Sequence, residues 1–325
     1  HKQGLYRGGH NGVQYSNRGS MTNTLPWLQP FLDRLAADDL SAATRRGYRY
    51  DLQQFVAWYA ALYGAPPELP RLTAHDLIAW RQHMLTLRQL KASTINRRLE
   101  AVRRLLRWAE ASGMVAHSVA TNVKTVRMAR DRRPVGLSAA EVHGLLRAAG
   151  ESSRGLARRN YALVQIMLQA GLRVGEVAAL RRGDITLRDR AGALRVRHGK
   201  GLRAREVPLN ATARRALRQL FEKDAAAQPT DPVFRSTRNE PMPVRSIQNA
   251  IAALVRRAGL SRPGITAHSL RHTFALAWLR QHPGQLVELA QLLGHESLDT
   301  TAIYTRASTE DLARGIEQTA FNLDG

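Results

Sequence analysis

Between residues 25 and 113 the apolar positions recur at helical spacing, and polar residues interrupt them at points that read as caps. Ser41 is placed to cap a helix over residues 42–63, which Gly64, Pro66 and Pro67 bring to an end. Thr73, with Asp76 three residues on, reads as a capping box that opens a second helix. Ser93 opens a third, closed by Gly113, on which Ile95, Leu99, Val102, Leu105, Leu106 and Ala109 share one face. With an earlier helix over residues 28–40, the pattern predicts a small four-helix bundle.

The period then lapses. Residues 121–137 carry Lys124, Arg127, Arg130, Arg132 and Arg133 against the single acid Asp131, followed by a Pro and a Gly, and read as an interdomain linker. Ser138 and Glu141 form the next capping box and begin a second domain, residues 138–325. Its pattern is mixed: a helix, turn, helix over residues 161–180 broken at Gly171, then apolar–polar alternation at Leu194 and Val196 and again at Val207 and Leu209, a β-hairpin with Lys200 in its turn. Helical spacing returns at 211–223, 244–258, 269–280, 286–293 and 311–321. Residues 1–20 lack an apolar period and end just before Met21; they read as an appended or upstream-translated extension outside the fold.

Charge changes the picture most. The chain has 49 Lys plus Arg against 26 Asp plus Glu, a formal +23. The excess is shared, +9 over residues 21–133 and +11 over 134–325, so both domains are expected to meet a polyanion, most simply nucleic acid. In the third helix Arg97, Arg98, Arg103 and Arg104 lie mostly off the apolar face. With Arg45 on an earlier helix they are the expected phosphate contacts, one-sided in charge where a merely solvated face would mix signs. Cysteine is absent, which removes disulfides, zinc–thiolate sites and cysteine nucleophiles. No apolar run approaches the roughly 20 residues that span a bilayer. A cytoplasmic, nucleoid-associated bacterial protein is expected.

Candidate chemistry gathers late in the chain. In "AHSLRHTFA" His268, Arg271 and His272 fall within five residues. His268 stands at a helix start, where free N–H groups and the helix dipole favour an anion, and Arg271 at i+3 shares its face. His268 and His272 have the i, i+4 spacing of zinc ligands, but no acid stands between them and a cation does, so a metal is not expected. Arg173 follows Gly171 with Glu176 three residues on; His295 follows Gly294; Tyr304 comes nine residues later.

This ordered set, "GLRVGE", a hairpin Lys, "HSLRH", "LLGH" and "IYTR", resembles the tyrosine recombinase (phage integrase) family, most closely its Xer-type and transposon-borne members, over about residues 25–320. The resemblance implies a mainly α fold with a small β-hairpin or sheet: a four-helix, SAM-like DNA-binding domain over 21–120 and an α+β catalytic domain ending in an oligomerisation tail. It implies a catalytic set of Arg173, Lys200, His268, Arg271, His295 and Tyr304, with Glu176 in support. Tyr304 attacks a DNA phosphodiester to leave a 3′-phosphotyrosyl link and a free 5′-hydroxyl. His268 is the base, Lys200 the acid to the departing oxygen, the arginines clamp nonbridging oxygens, and His295 donates a further hydrogen bond. No cofactor or metal is implied, and the partner is double-stranded DNA with paired half-sites, joined by a homotetramer or a heterotetramer with a related recombinase. The other readings are a catalytically silent DNA-binding regulator on the same fold, a tyrosine topoisomerase-like relaxing enzyme and a metal-dependent nuclease.

Overall fold

The computed structural model describes residues 25–38, 40–127, 134–152, 155–197, 204–222, 227–295 and 297–305. Lys200, the helix expected over 311–321 and the extension 1–20 lie outside them. The chain divides into two compact units, residues 1–130 and 131–325.

The first unit is the expected helical bundle: α1 (Leu28–Ala37), α2 (Ala42–Tyr63), α3 (Ala74–Thr86) and α4 (Ala92–Ala111), with a 3-10 turn at Leu69–Arg71. The cap residues act as read. Ser41 Oγ accepts from the Thr44 amide at 3.1 Å, and Gly64 closes α2 at φ +77°, in the left-handed region that suits glycine. Thr73 and Asp76 complete a reciprocal capping box, and the Tyr63 hydroxyl donates to Asp76 at 2.6 Å. α4 begins one residue before the expected Ser93: the amides of Thr94 and Ile95 both bond to the Lys91 carbonyl, so Lys91 is the N-cap and Ser93 lies inside the first turn. The face running from Ile95 to Ala109 is buried against Phe31, Leu52, Phe55 and Trp80. Half of the expected linker belongs to this unit. Val123 is buried in its core beside Ala120, the residue just before the linker, and the Asn96 amide pairs with both the carbonyl and the N–H of Val126, at 2.9 and 2.8 Å.

The second unit is built around α6 (Ala157–Ala170), which is buried along most of its length and packs against α5 (Ala139–Gly150), α8 (Ala211–Phe221) and α10 (Ala267–Gln281). Between α7 (Val174–Ala179) and α8 lies an antiparallel sheet in the order β1 (Ile185–Leu187), β2 (Gly192–Val196), β3 (Arg205–Pro208). Its register opposes Leu194 to Ile185 and to Val207. β2 and β3 are the expected hairpin; β1 adds an edge strand too short to show a period. α9 (Val244–Arg257), α11 (Leu286–Leu293) and the four-residue α12 (Asp299–Ala302) complete the described elements. Ser138 and Glu141 cap α5 reciprocally, and Arg262 forks onto Glu141 at 2.7 and 3.0 Å. The approach to α5 is tied to α10, where Thr273 Oγ1 accepts from the Leu137 amide at 2.8 Å. A Cβ on Gly136 would come within 3.1 Å of Thr273 Cα.

Candidate active site

Helix ends assemble this site. α6 stops at Gly171 (φ +60°), where a Cβ would lie 2.4 Å from Phe274, so both the backbone and the close packing require glycine. The chain turns directly into Arg173, the N-cap of α7. Its amide donates to Glu176 Oε2 at 2.7 Å and its Nη1 to Glu176 Oε1 at 3.1 Å, so one carboxylate caps the start of α7 and holds the guanidinium beside it. The remaining contacts of Arg173 are to the end of α11, Nη1 to the Leu293 carbonyl at 3.3 Å and Nη2 to that of Gly294 at 3.0 Å.

Arg271 enters from α10. It is 2% exposed and donates Nη1 to the Gly171 carbonyl at 2.7 Å, Nη2 to the Leu293 carbonyl at 2.7 Å, and Nη2 again to His295 Nε2 at 3.0 Å. Burial first, then the Arg173 charge, pulls its pKa down to about 10, so it stays a cation at neutral pH. A guanidinium has only donors, so His295 Nε2 is the acceptor and the neutral ring carries its proton on Nδ1, which donates to the fully buried Thr301 at 2.7 Å. Burial, followed by the charges of Arg271, Arg173 and Arg205, lowers the His295 pKa to about 4 and keeps it in that neutral form. Both ring nitrogens of His295 are engaged in this arrangement, and the ring orients Arg271.

Glu176 is buried beneath the two arginines. Burial alone would raise its pKa, but the hydrogen bonds and charge of Arg205, with the amide and charge of Arg173, outweigh it and hold the carboxylate below its usual range. Arg205 Nη1 and Nη2 meet the two carboxylate oxygens at 2.9 Å each, and its Nε donates to the Leu292 carbonyl at 2.9 Å. Sequence reading missed Arg205. Its signal was an Arg on the returning hairpin strand two positions before the buried Val207, which put it among several hairpin arginines and tied it to nothing. Gly294 leaves room for it, since a Cβ there would lie 2.6 Å from Arg205 Nη1.

His268, His272 and Tyr304 form a row beside this clamp. The rings of His268 and His272, one turn apart on α10, meet edge to face at 4.5 Å, and His272 meets Tyr304 at 5.4 Å. The Tyr304 hydroxyl lies 2.7 Å from His272 Nδ1. Burial raises the Tyr304 pKa against the lowering effect of Arg271 and Arg173. Burial first, then the charges of His268 and Arg271, takes His272 down to about 4, and burial with Arg271 and Arg173 lowers His268. Thus five of the six expected catalytic residues gather here, and the sixth, Lys200, lies outside the described residues. Among the described residues no three His, Asp or Glu side chains gather as a metal-holding group.

The arginines expected to touch phosphate lie in the first unit and are largely occupied. Arg97 and Arg98 both face the buried Asp51; Arg97 is hydrogen-bonded to it and half exposed, while Arg98 lies 3.8 Å away with its side chain 12% exposed. Arg103 caps the Val123 carbonyl, and Arg104 reaches Asp38 at 3.1 Å and the Tyr48 hydroxyl at 3.4 Å. Arg45 is partly buried.

Residues 136–311 match the phage integrase family, and residues 28–113 match the phage integrase N-terminal SAM-like domain. The chain is 32% identical over 290 residues to the tyrosine recombinase XerD of Ralstonia nicotianae, covering 88% of this chain and 91% of that protein. It is 33% identical over 295 residues to XerD of Pseudomonas aeruginosa, with 88% and 95% covered. Among solved structures it shares the fold of the XerH site-specific recombinase bound to a palindromic difH substrate (TM-score 0.71, 21% identity, 90% of this chain and 82% of that one). It also shares that of the Tn1549 transposon integrase in complex with transposon right end DNA (TM-score 0.73, 17% identity, 91% and 100%).

Proposed function

The chain belongs to the phage integrase family and is a tyrosine recombinase, and on that premise we propose that it cleaves and rejoins double-stranded DNA at paired half-sites through a 3′-phosphotyrosyl intermediate on Tyr304. The observation that carries this reading is the convergence of Arg173 and Arg271 on the Leu293 carbonyl, with the Tyr304 hydroxyl held from the same helix as Arg271. Two always-charged planar forks supply the stabilisation that a phosphoryl-transfer transition state needs on its nonbridging oxygens, with no reorganisation at the moment of reaction. Glu176 and Arg205 hold the first arginine, and His295 with Thr301 holds the second. In this reading Lys200 protonates the departing 5′-oxygen. The phosphotyrosyl ester conserves the energy of the broken bond, so rejoining needs no nucleotide cofactor.

The formal +23 supports a long phosphate contact, to which Arg97 and other exposed basic residues of the first unit contribute. Four protomers joining two sites, with strand exchange in pairs, is the assembly we propose on the family likeness.

The test begins with selection of bound sequences from a randomised duplex pool by the full-length chain. The recovered half-site is then built into a nicked suicide duplex and incubated with protein in EDTA. Wild type should form a covalent adduct, and Tyr304→Phe should bind equally and form none. Binding without adduct would favour the regulator, loss in EDTA a nuclease, and adduct without exchange between two sites a relaxing enzyme.

A further inference from the structure

The hydroxyl that must lose a proton is paired with a histidine that the sequence reading left without a role. His268 and His272 stand one turn apart on α10, so periodicity places both on one face. It is His272 Nδ1 that lies 2.7 Å from Tyr304 Oη. Arg271 and His272 are consecutive, and they diverge. One reaches the Gly171 and Leu293 carbonyls and His295, while the other reaches the nucleophile. A single helical turn thus fixes the tyrosine oxygen relative to the phosphate clamp.

We propose that His272 is the general base of cleavage, receiving the Tyr304 hydroxyl proton on Nδ1 as the phosphotyrosyl bond forms. The proposal rests on Tyr304 being the nucleophile. With the ring proton on Nε2, Nδ1 accepts the Oη–H, and the oxygen lone pairs point away from His272, free to meet phosphorus. In the step, the Tyr304 O–H bond breaks and its proton passes to His272 Nδ1. The Oη electron pair forms the O–P bond, and the P–O5′ bond breaks. The 5′-oxygen leaves with that electron pair and takes a proton from the acid assigned to Lys200. The products are the 3′-phosphotyrosyl ester, a 5′-hydroxyl, a His272 imidazolium and a neutral lysine; rejoining returns both protons.

The surroundings suit the role. Burial first, then the charges of His268 and Arg271, keeps His272 neutral over the physiological range, so Nδ1 stays an acceptor for the Tyr304 hydroxyl. A DNA phosphate on the arginines brings negative charge beside the ring and offsets the cations that disfavour the imidazolium, so basicity rises when the substrate is seated.

The experiment uses the full chain and the nicked duplex carrying the selected half-site, with DNA affinity measured beside the rate of adduct formation. His272→Ala should bind DNA as wild type does and form adduct about 10²- to 10⁴-fold more slowly, the usual worth of a positioned base. His272→Asn places an amide oxygen near the Nδ1 position, preserving an acceptor without a proton-accepting nitrogen, and should be comparably slow. Placing 3,5-difluorotyrosine at position 304, a more acidic phenol, should recover most of the rate lost in His272→Ala and do nothing for Arg271→Ala. His272→Asn at wild-type rate would reduce His272 to a hydrogen-bond acceptor and overturn the proposal. So would an unslowed His272→Ala, or a slow one that the acidic tyrosine fails to rescue. Failure of the wild type itself to form an adduct would instead overturn the recombinase reading.

Discussion

Arg173 and Arg271 donate to one acceptor, the carbonyl oxygen of Leu293, at 3.3 and 2.7 Å. Two cations brought this close repel each other, and the arrangement holds because backbone carbonyls at the end of α11 and the Glu176 carboxylate face them. An α-helix C-terminus carries unpaired carbonyls and the negative end of the helix dipole, so it suits two guanidinium groups.

Replacing either arginine by lysine should abolish most cleavage and leave DNA affinity nearly intact, because a point charge cannot bridge two oxygens. Thermal melts separate the two variants. Arg271→Lys should lower Tm, since it strips buried carbonyls of donors at about 1–3 kcal/mol each. Arg173→Lys should lower it less, its side chain being 35% exposed. Equal melting of both would contradict the buried anchoring of Arg271.

Arg205→Ala should destabilise the second unit by about 3–5 kcal/mol in urea titration, because it leaves the buried Glu176 carboxylate short of its bidentate partner. Cleavage should fall with it, as Glu176 is what aligns Arg173. Arg205→Lys should recover part of both losses. An unchanged urea midpoint in Arg205→Ala would show that Glu176 is satisfied without it.

Thr301→Val keeps the shape of a fully buried side chain and removes the acceptor of the His295 Nδ1 proton. The ring is then free to change tautomer and release Arg271. Adduct formation should slow by roughly 5- to 30-fold, equivalent to about 1–2 kcal/mol, with DNA affinity unchanged. A wild-type rate would mean that Arg271 needs no help from His295.

Acid should weaken the start of the second unit through Glu141. Arg262's hydrogen bonds, with the Ser138 amide, outweigh partial burial and take its pKa from 4.5 to about 2. The folded-state pKa is the lower one, so this contribution is complete above about pH 4.5 and is lost as pH falls toward 2. Glu141→Gln should melt below wild type at pH 7, and the gap should narrow as pH is lowered past 4.5. A gap constant with pH would assign the loss to helix capping alone.

On α4 the neighbours Arg97 and Arg98 should behave oppositely. Arg97, 53% exposed, should when changed to Ala weaken DNA binding and reduce the log–log salt slope by about 1. Arg98, tucked beside the buried Asp51, should when changed to Ala lower Tm and leave the slope alone. The reverse result would exchange their roles.

Ser41, Thr73 and Ser138 act as the caps their sequence positions foretold, and Gly171 breaks the chain where expected, because these features depend on residues three or four positions apart. The apolar face of α4 is buried as its period required, and the order of Arg173, Arg271, His295 and Tyr304 was enough to suggest the chemistry. Tertiary structure decided what no period encodes. β1 is three residues long and exists through its pairing with β2. Residues 120–126 carry no pattern and pack because the α4 surface and Asn96 offer partners. Arg205 finds Glu176 across 29 positions, and Arg173 finds the Leu293 carbonyl across 120. His268 and His272 share a face, so local spacing cannot choose between them. The hydrogen bond to Tyr304 falls to His272 because the chain after α11 returns Tyr304 to that turn of α10, 32 residues on, where the two atoms lie 2.7 Å apart.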